Sequence, residues 1–260
     1  MNSDQAIPIL VAHRGYPACY PENTLVGYEV ALQAGACYVE LDIQLSASHT
    51  PFLCHDDNLK RLTGIDQNIT ELDDEIIKTL SIAYPKPTLA SDLIPSTTRT
   101  APFADLLSFC ALLKKWPKAK AFVEIKFESI FKFGLEVTVE HILQVLQPYQ
   151  EQCIIISFDW QAVALARKKG VERIGWVIPR WDHEHEKIAY SLAPDYLFCS
   201  IWRMPPTIED RWKGPWQWAV YTVNDSQTAL QYAQQHIRMI ETDAIGIMLN
   251  DPILKQHACE

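Results

Sequence analysis

From Ala104 to Thr242 the chain alternates short apolar runs with segments of helical period, and this alternation limits the fold more than any other feature. Ala104 to Trp116, Phe131 to Leu146, Trp160 to Lys169, Glu184 to Ser191 and Ser226 to Gln235 carry helical spacing, with a short helical piece near Thr207–Trp212. Between them lie strand-like runs at Ala121–Lys126, Cys153–Ser157, Arg173–Ile178, Tyr196–Ser200, Trp218–Val223 and Met239–Thr242. Ile7–Ala12 and Tyr38–Leu45 supply two more at the start, separated by a helix that Asn23 or Thr24 can cap. Eight strand candidates alternating with helices in 260 residues predict a parallel sheet closed as a (β/α)8 TIM barrel, in one domain spanning residues 1–260. An open doubly wound sheet is the alternative, but no G-x-G-x-x-G or phosphate loop follows any strand.

Tyr38-Val39-Glu40-Leu41-Asp42-Ile43-Gln44-Leu45 alternates at period two, which sends Glu40 and Asp42 to one face. Side-by-side carboxylates repel unless a cation sits between them, and a hard divalent ion with oxygen ligands removes the conflict. The break Ser46–Thr50 is too short for a parallel crossover, so Pro51–Cys54 should return antiparallel and bring His55 towards Glu40 and Asp42. This β-hairpin stands outside the barrel count. Residues 56–101, with Pro85, Pro87, Pro95 and a helix-like piece near Glu71–Leu80, read as an insertion after the second barrel strand that runs over the active-site end.

A net charge of −9 speaks against non-specific nucleic-acid or anionic-membrane binding. No apolar run reaches membrane-spanning length, and the first residues do not read as a secretory signal, so no stable membrane association is expected. Seven scattered cysteines without a C-x-x-C pair fit free thiols in a reducing cytoplasm.

In such a barrel the active site lies at the carboxyl ends of the strands. Those ends carry His13, Arg14, Glu40, Asp42, Glu124, Lys126, Asp159, Arg180, Trp202, Tyr221, Thr242 and Asp243, with His55 on the hairpin. Phe158, Trp202 and Tyr221 are expected to wall the pocket. Individually, His13 can be a structural histidine, and Arg14 and Lys126 can be salt-bridge partners of Glu40 and Glu124. Together, three carboxylates, two histidines and two cations at one rim suit a phosphate ester. Carboxylates hold a divalent cation, Arg14 and Lys126 neutralise phosphate oxygens, and the histidines move protons. Asp182-His183-Glu184-His185-Glu186 looks like a metal cluster, but i and i+2 do not face each other on a helix, so Asp182 reads as an N-cap.

His13-Arg14-Gly15, Pro21-Glu22-Asn23-Thr24, Val39-Glu40-Leu41-Asp42, His55-Asp56, Val123-Glu124-Ile125-Lys126, Ser157-Phe158-Asp159, Tyr221-Thr222-Val223-Asn224 and Glu241-Thr242-Asp243 resemble, in order, the glycerophosphodiester phosphodiesterase family of the bacterial cytosolic type. The resemblance implies a TIM barrel that hydrolyses glycerophosphodiesters, such as glycerophosphocholine or glycerophosphoethanolamine, to glycerol 3-phosphate and an alcohol. It implies Mg²⁺ or Ca²⁺ at Glu40, Asp42 and Glu124, His13 and His55 as the acid/base pair, and phosphate on Arg14 and Lys126. The chain departs from the family at Tyr221, where Trp is usual, at Ile237-Arg238 in place of Gly-Asp, and at Ala101-Pro102-Phe103. Competing readings are a lysophospholipase D or phospholipase C-like enzyme acting on lipid, and a non-catalytic binding protein on the same barrel.

Overall fold

The apolar runs pair with one another. A computed structural model describes residues 6–83 and 100–254. Its strands are β1 (Ile9–His13), β2 (Tyr38–Leu45), β3 (Pro51–Leu53), β4 (Ser81–Ala83), β5 (Thr100–Pro102), β6 (Lys120–Ile125), β7 (Cys153–Ser157), β8 (Ile174–Val177), β9 (Tyr196–Ser200), β10 (Gln217–Tyr221) and β11 (Met239–Thr242). β1, β2 and β6 to β11 are parallel neighbours, and β1 pairs with both β2 and β11, which closes the barrel. This is the (β/α)8 barrel that the alternation predicts. β3 pairs antiparallel with the end of β2, Ile43 facing Leu53, so the hairpin lies outside the closed ring.

The helices are α1 (Leu25–Gln33), α2 (Lys60–Thr63), α3 (Asp74–Ile77), α4 (Leu106–Leu113), α5 (Phe127–Phe133), α6 (Leu135–Leu146), α7 (Trp160–Lys168), α8 (His183–Leu192), α9 (Ser226–Gln234) and α10 (Ile245–Leu249). Side-chain caps fix several starts: Thr24, Asp105, Asp159, Asp182 and Asp225 each accept a backbone N–H of the following turn. The predicted helix Phe131–Leu146 is instead two, because Gly134 takes φ +89° and breaks the ladder between α5 and α6. Thr207–Trp212 is a turn rather than a helix: it follows Pro205-Pro206, and the Thr207 hydroxyl bonds the Asp210 carboxylate. The piece near Glu71–Leu80 shrinks to the single turn α3. Pro85, Pro87 and Pro95 lie outside the described residues.

Two cores are separated by the barrel wall. Inside it, Val11, Phe122, Ile154, Ile156, Val177, Tyr196, Phe198, Ala219 and Met239 form one cluster. Phe122 stacks on Tyr38 and meets Tyr196 and Phe198 edge-on. The larger cluster lies between strands and helices. Strand period two then dictates what stands above the inner cluster. Two residues beyond Val11, Phe122, Ile156, Ala219 and Met239 come His13, Glu124, Phe158, Tyr221 and Glu241. Register sets their level: His13 faces Glu40 and Asp42 faces Glu124 across neighbouring strands.

The described part of the excursion has a small core of its own, in which Leu59, Leu62, Ile69, Leu72, Ile77 and Ile82 pack on Phe52 of the hairpin. Cys37 is disulfide-bonded, against the expectation of seven free thiols. With a disulfide at Cys37 the cysteines no longer point to a reducing compartment. No helix among the described residues is long and apolar enough to cross a membrane.

Phe122, fully buried at the centre of the inner cluster, and Phe131, 81% exposed, should differ sharply on truncation. Phe122→Ala is expected to cost about 3–5 kcal/mol in urea unfolding, and Phe131→Ala less than about 0.5 kcal/mol. Equal costs would contradict the position of the inner core.

Candidate functional site

At the end of β1, Arg14 adopts a left-handed conformation (φ +51°), which is uncommon and costly for a side chain of its size. The turn aims its amide at Glu40 Oε2 (3.1 Å) and its guanidinium at Glu22 Oε1 (3.1 Å) and Asp42 Oδ2 (3.1 Å). Asn23, also left-handed, donates to Asp42 Oδ2 (2.9 Å) and is itself held by the Tyr28 hydroxyl (2.7 Å). On β6 and just beyond it, Lys126 Nζ reaches Glu124 Oε1 (3.0 Å) and Asp42 Oδ1 (3.4 Å).

Each histidine is oriented by a carboxylate. His13 Nδ1 lies 2.7 Å from Asp243 Oδ1, and its Nε2 faces Glu40 Oε2 at 3.9 Å. His55 Nδ1 lies 2.8 Å from Asp56 Oδ1. The Gln44 amide donates to the carbonyls of Cys54, His55 and Asp56 (3.3, 3.1 and 2.8 Å), which pins the hairpin's exit. Arg61 of α2 then grips Asp56 (2.6 and 2.9 Å) and Glu22 (2.7 and 2.8 Å).

His13, Arg14, Glu40, Asp42, His55, Glu124 and Lys126, all chosen from the sequence, line one cavity of about 140 Å³ at the carboxyl ends of the strands. Phe158, Phe198, Tyr221 and Glu241 complete its inner wall. Trp202, expected as pocket wall, does not line it: the chain turns outward after Ser200 and leaves the indole 90% exposed. Asp159 caps α7 instead of facing the cavity. Thr242 faces away from the cavity, its hydroxyl bonded to Asn224 and to the Met248 sulfur. Glu241 was missed. Its signal is parity, since an inward Met239 forces Glu241 inward and Thr242 outward.

Charge is unevenly distributed over the buried acids. Burial works against the Asp42 charge, but Arg14 and Lys126 outweigh it and hold this carboxyl far below its ordinary value. Burial pushes Glu40 well up, reinforced by Asp42, Glu241 and Glu124. Burial likewise raises Glu241 and, against the pull of Lys126, Glu124. Asp56 and Asp243, though partly buried, are held low by the hydrogen bonds to His55 and Arg61 and to His13 respectively.

Glu40, Asp42 and Glu124 each offer an oxygen within 4.8 Å of the other two. Three buried carboxylates held together, two of them forced towards protonation, are a donor set that a hard divalent cation fits. Glu22, His55 and Asp56 also approach within that span, but Arg61 already occupies the carboxylates of Glu22 and Asp56.

The model of the glycerophosphoryl diester phosphodiesterase family matches residues 13–254. A glycerophosphodiester phosphodiesterase of Caldanaerobacter subterraneus is 25% identical over 254 residues, 94% of each chain. An uncharacterized protein of Bacillus subtilis is 27% identical over 164 residues, and the match spans 61% of each chain, under two thirds of that relative. An Oleispira antarctica phosphodiesterase, solved in complex with the product sn-glycerol-3-phosphate, superposes with a TM-score of 0.81 at 22% identity over 96% of this chain and 98% of that one, which shows a shared fold.

Stability without divalent cations should follow from these directions. Above the unfolded glutamate value of about 4.3 the unfolded chain releases protons that native Glu40 and Glu241 retain, so the native state binds more and stability falls as pH rises. At low pH the sign reverses, because Asp42, Asp56 and Asp243 are depressed and their contribution is lost as pH falls through their native values. In EDTA, Tm is therefore expected to decline from weakly acidic to alkaline pH. Mg²⁺ or Ca²⁺ at a hundredfold excess over Kd should restore about 2.7 kcal/mol. A Tm that ignores both pH and cation would refute the carboxylate assignment.

Proposed function

The chain belongs to the glycerophosphoryl diester phosphodiesterase family, and from that we propose that it hydrolyses glycerophosphodiesters to glycerol 3-phosphate and an alcohol. The observation that carries this reading is one cavity in which three carboxylates, two cations and two carboxylate-oriented histidines converge.

In this reading Glu40, Asp42 and Glu124 hold one divalent cation, Mg²⁺ or Ca²⁺, all through oxygen. When bound, the cation would supply Lewis acidity to the reaction. Lys126 and Arg14, which contact the carboxylates, would bind the non-bridging phosphate oxygens; their charge at the cavity supports that role. Charge supports this: a divalent cation with Arg14 and Lys126 against Glu40, Asp42 and Glu124 leaves one positive charge, which a phosphodiester monoanion balances.

His13 acts as base. Its Nδ1–H donates to Asp243, which leaves Nε2 to take the proton from the nucleophile, either water or the substrate's own neighbouring hydroxyl. In the second case the departing alcohol leaves a cyclic phosphate, which water then opens to glycerol 3-phosphate. His55, protonated and held by Asp56, delivers a proton to the leaving oxygen as its bond to phosphorus breaks and the new one forms. The His55 side chain is 35% exposed against 15% for His13, so the leaving alcohol sits at the mouth. Arg61 links the excursion to this edge of the cavity, which supports treating residues 56–101 and the barrel as one catalytic unit.

One observation favours a second reading, a lysophospholipase D or phospholipase C-like enzyme acting on lipid. Phe127, Phe131, Trp160 and Trp202 follow strands β6, β7 and β9 and are exposed at the cavity's end of the barrel.

Alcohol release from glycerophosphocholine, glycerophosphoethanolamine and lysolipid, with and without EDTA, tests both. The first reading expects chelator-sensitive hydrolysis of the water-soluble diesters. Hydrolysis of lysolipid alone would transfer the assignment to the second, and full activity in excess EDTA would overturn the cation. Glu40→Ala and Asp42→Ala should abolish turnover. His13→Ala and His55→Ala should each lower it by about 10²–10⁴. Wild-type turnover in both histidine variants would end the two-histidine mechanism.

A further inference from the structure

Two polar side chains in the cavity have no task in the steps above. Glu241 is 3% exposed, and its Oε1 has no hydrogen-bond partner among the described residues; the same holds for the buried Tyr221 hydroxyl. Both line the cavity. Buried polar atoms without partners are destabilising. Ile156, Val177 and Phe198 of other strands line the same cavity, so apolar side chains fit in its wall. A polar pair kept where an apolar one would pack points to a ligand.

We propose that Glu241 and Tyr221 form a subsite for the hydroxyl groups of the substrate's glycerol half, the half that leaves as glycerol 3-phosphate. The proposal rests on the phosphodiesterase reading and adds to it what the enzyme recognises. Position is the first argument. Glu241 pairs in register with Val11, one inward step below His13, and Tyr221 is the inward residue after Ala219. Glu241 therefore lies deeper than His13 and Arg14, with Tyr221 on the neighbouring strand, while His55 is at the mouth. A diester with its phosphate on Arg14 and Lys126 and its leaving oxygen at His55 directs its other half to the floor.

Size agrees. At about 140 Å³ the cavity is smaller than the pockets of roughly 300–1,000 Å³ that take drug-sized ligands, so it admits a small fragment and leaves the rest of a diester outside. Chemistry agrees as well. A carboxyl and a phenol beside each other match the donors and acceptors of a vicinal diol. Specificity would then come from the glycerol half, and the alcohol half would be free to vary.

The test compares glycerophosphocholine and glycerophosphoglycerol, which share the glycerol half, with bis(para-nitrophenyl) phosphate, which lacks it. The full chain is used with Mg²⁺, as wild type, Glu241→Leu, Glu241→Gln and Tyr221→Phe. Glu241→Leu should lower kcat/KM about 10- to 100-fold on both glycerophosphodiesters and less than about threefold on the aryl diester. The Kd of glycerol 3-phosphate, measured by calorimetry, should rise by a like factor while that of inorganic phosphate changes little. Glu241→Gln, which keeps a donor and an acceptor, should recover most of the loss, and Tyr221→Phe should show a smaller loss of the same selectivity.

Tm separates a binding role from a structural one. Glu241→Leu should keep or raise it, since an unpaired buried carboxyl is replaced by an apolar side chain. Equal losses on all three substrates, or a lowered Tm with unselective loss, would overturn the subsite. Loss on glycerophosphocholine but not on glycerophosphoglycerol would overturn it in favour of a site for the ammonium head group. If wild type hydrolyses neither glycerophosphodiester, the phosphodiesterase reading fails, and the glycerol 3-phosphate titrations alone decide the subsite.

Discussion

The repulsion among carboxylates buried at the top of the barrel is the constraint on which the rest depends. Register alone creates it: Asp42 lies opposite Glu124 and His13 opposite Glu40, and none of these side chains can move away without breaking a central strand. An isolated buried carboxylate is too costly to persist as such. The chain answers in two ways. Arg14 and Lys126 keep Asp42 ionised, while Glu40 and Glu241 are pushed towards the protonated state. Neither answer satisfies all the acids at once, and the residual mismatch leaves Glu40, Asp42 and Glu124 as a donor set that a divalent cation fits.

Positioning falls to a second tier of contacts, most of them local. The left-handed turns at Arg14 and Asn23 direct three donors at Glu40 and Asp42 from one short loop. The Gln44 amide holds three successive carbonyls of the hairpin's exit, and Arg61 holds Asp56, which in turn orients His55. His55 thus depends on the excursion through Asp56, and Arg14 does so through Glu22, which Arg61 also holds. His13 instead depends on Asp243, at the close of the barrel, so the two histidines are supported from opposite ends of the chain.

Strand ends were legible because period two and the parallel-barrel rule are both strong constraints. They named seven residues that do line one cavity. What escaped has physical reasons. Face parity within β11 depends on where the strand starts, so Glu241 and Thr242 could not be told apart without the inward Met239. Trp202 was misplaced because the turn after Ser200 carries no periodic signal. Gly134 could be tolerated inside a helix or could end one, and only its positive φ decides between α5–α6 and a single helix. Asp56 and Arg61 are five residues apart, and their pairing arises from α2, a single turn too short for its period to be seen. The disulfide at Cys37 has no C-x-x-C or similar signal in the sequence.

Stability and chemistry occupy different layers of the same strands. Below the site Phe122 and Tyr196 meet edge-on, and Phe122 also meets Phe198, which reaches the cavity wall. Two residues higher on β1, β6, β10 and β11 the inner positions become His13, Glu124, Tyr221 and Glu241, and packing gives way to unmet polar valence. The transition is not complete around the ring. β7, β8 and β9 keep Ile156, Val177 and Phe198 in the cavity wall, so one side of the cavity is apolar and the other charged. A ligand entering from the strand ends therefore meets cations and carboxylates on one flank and a hydrophobic wall on the other. That asymmetry suits a molecule with a charged centre and a hydroxylated carbon chain, which can lay its C–H face on the apolar wall while its oxygens turn to the polar flank.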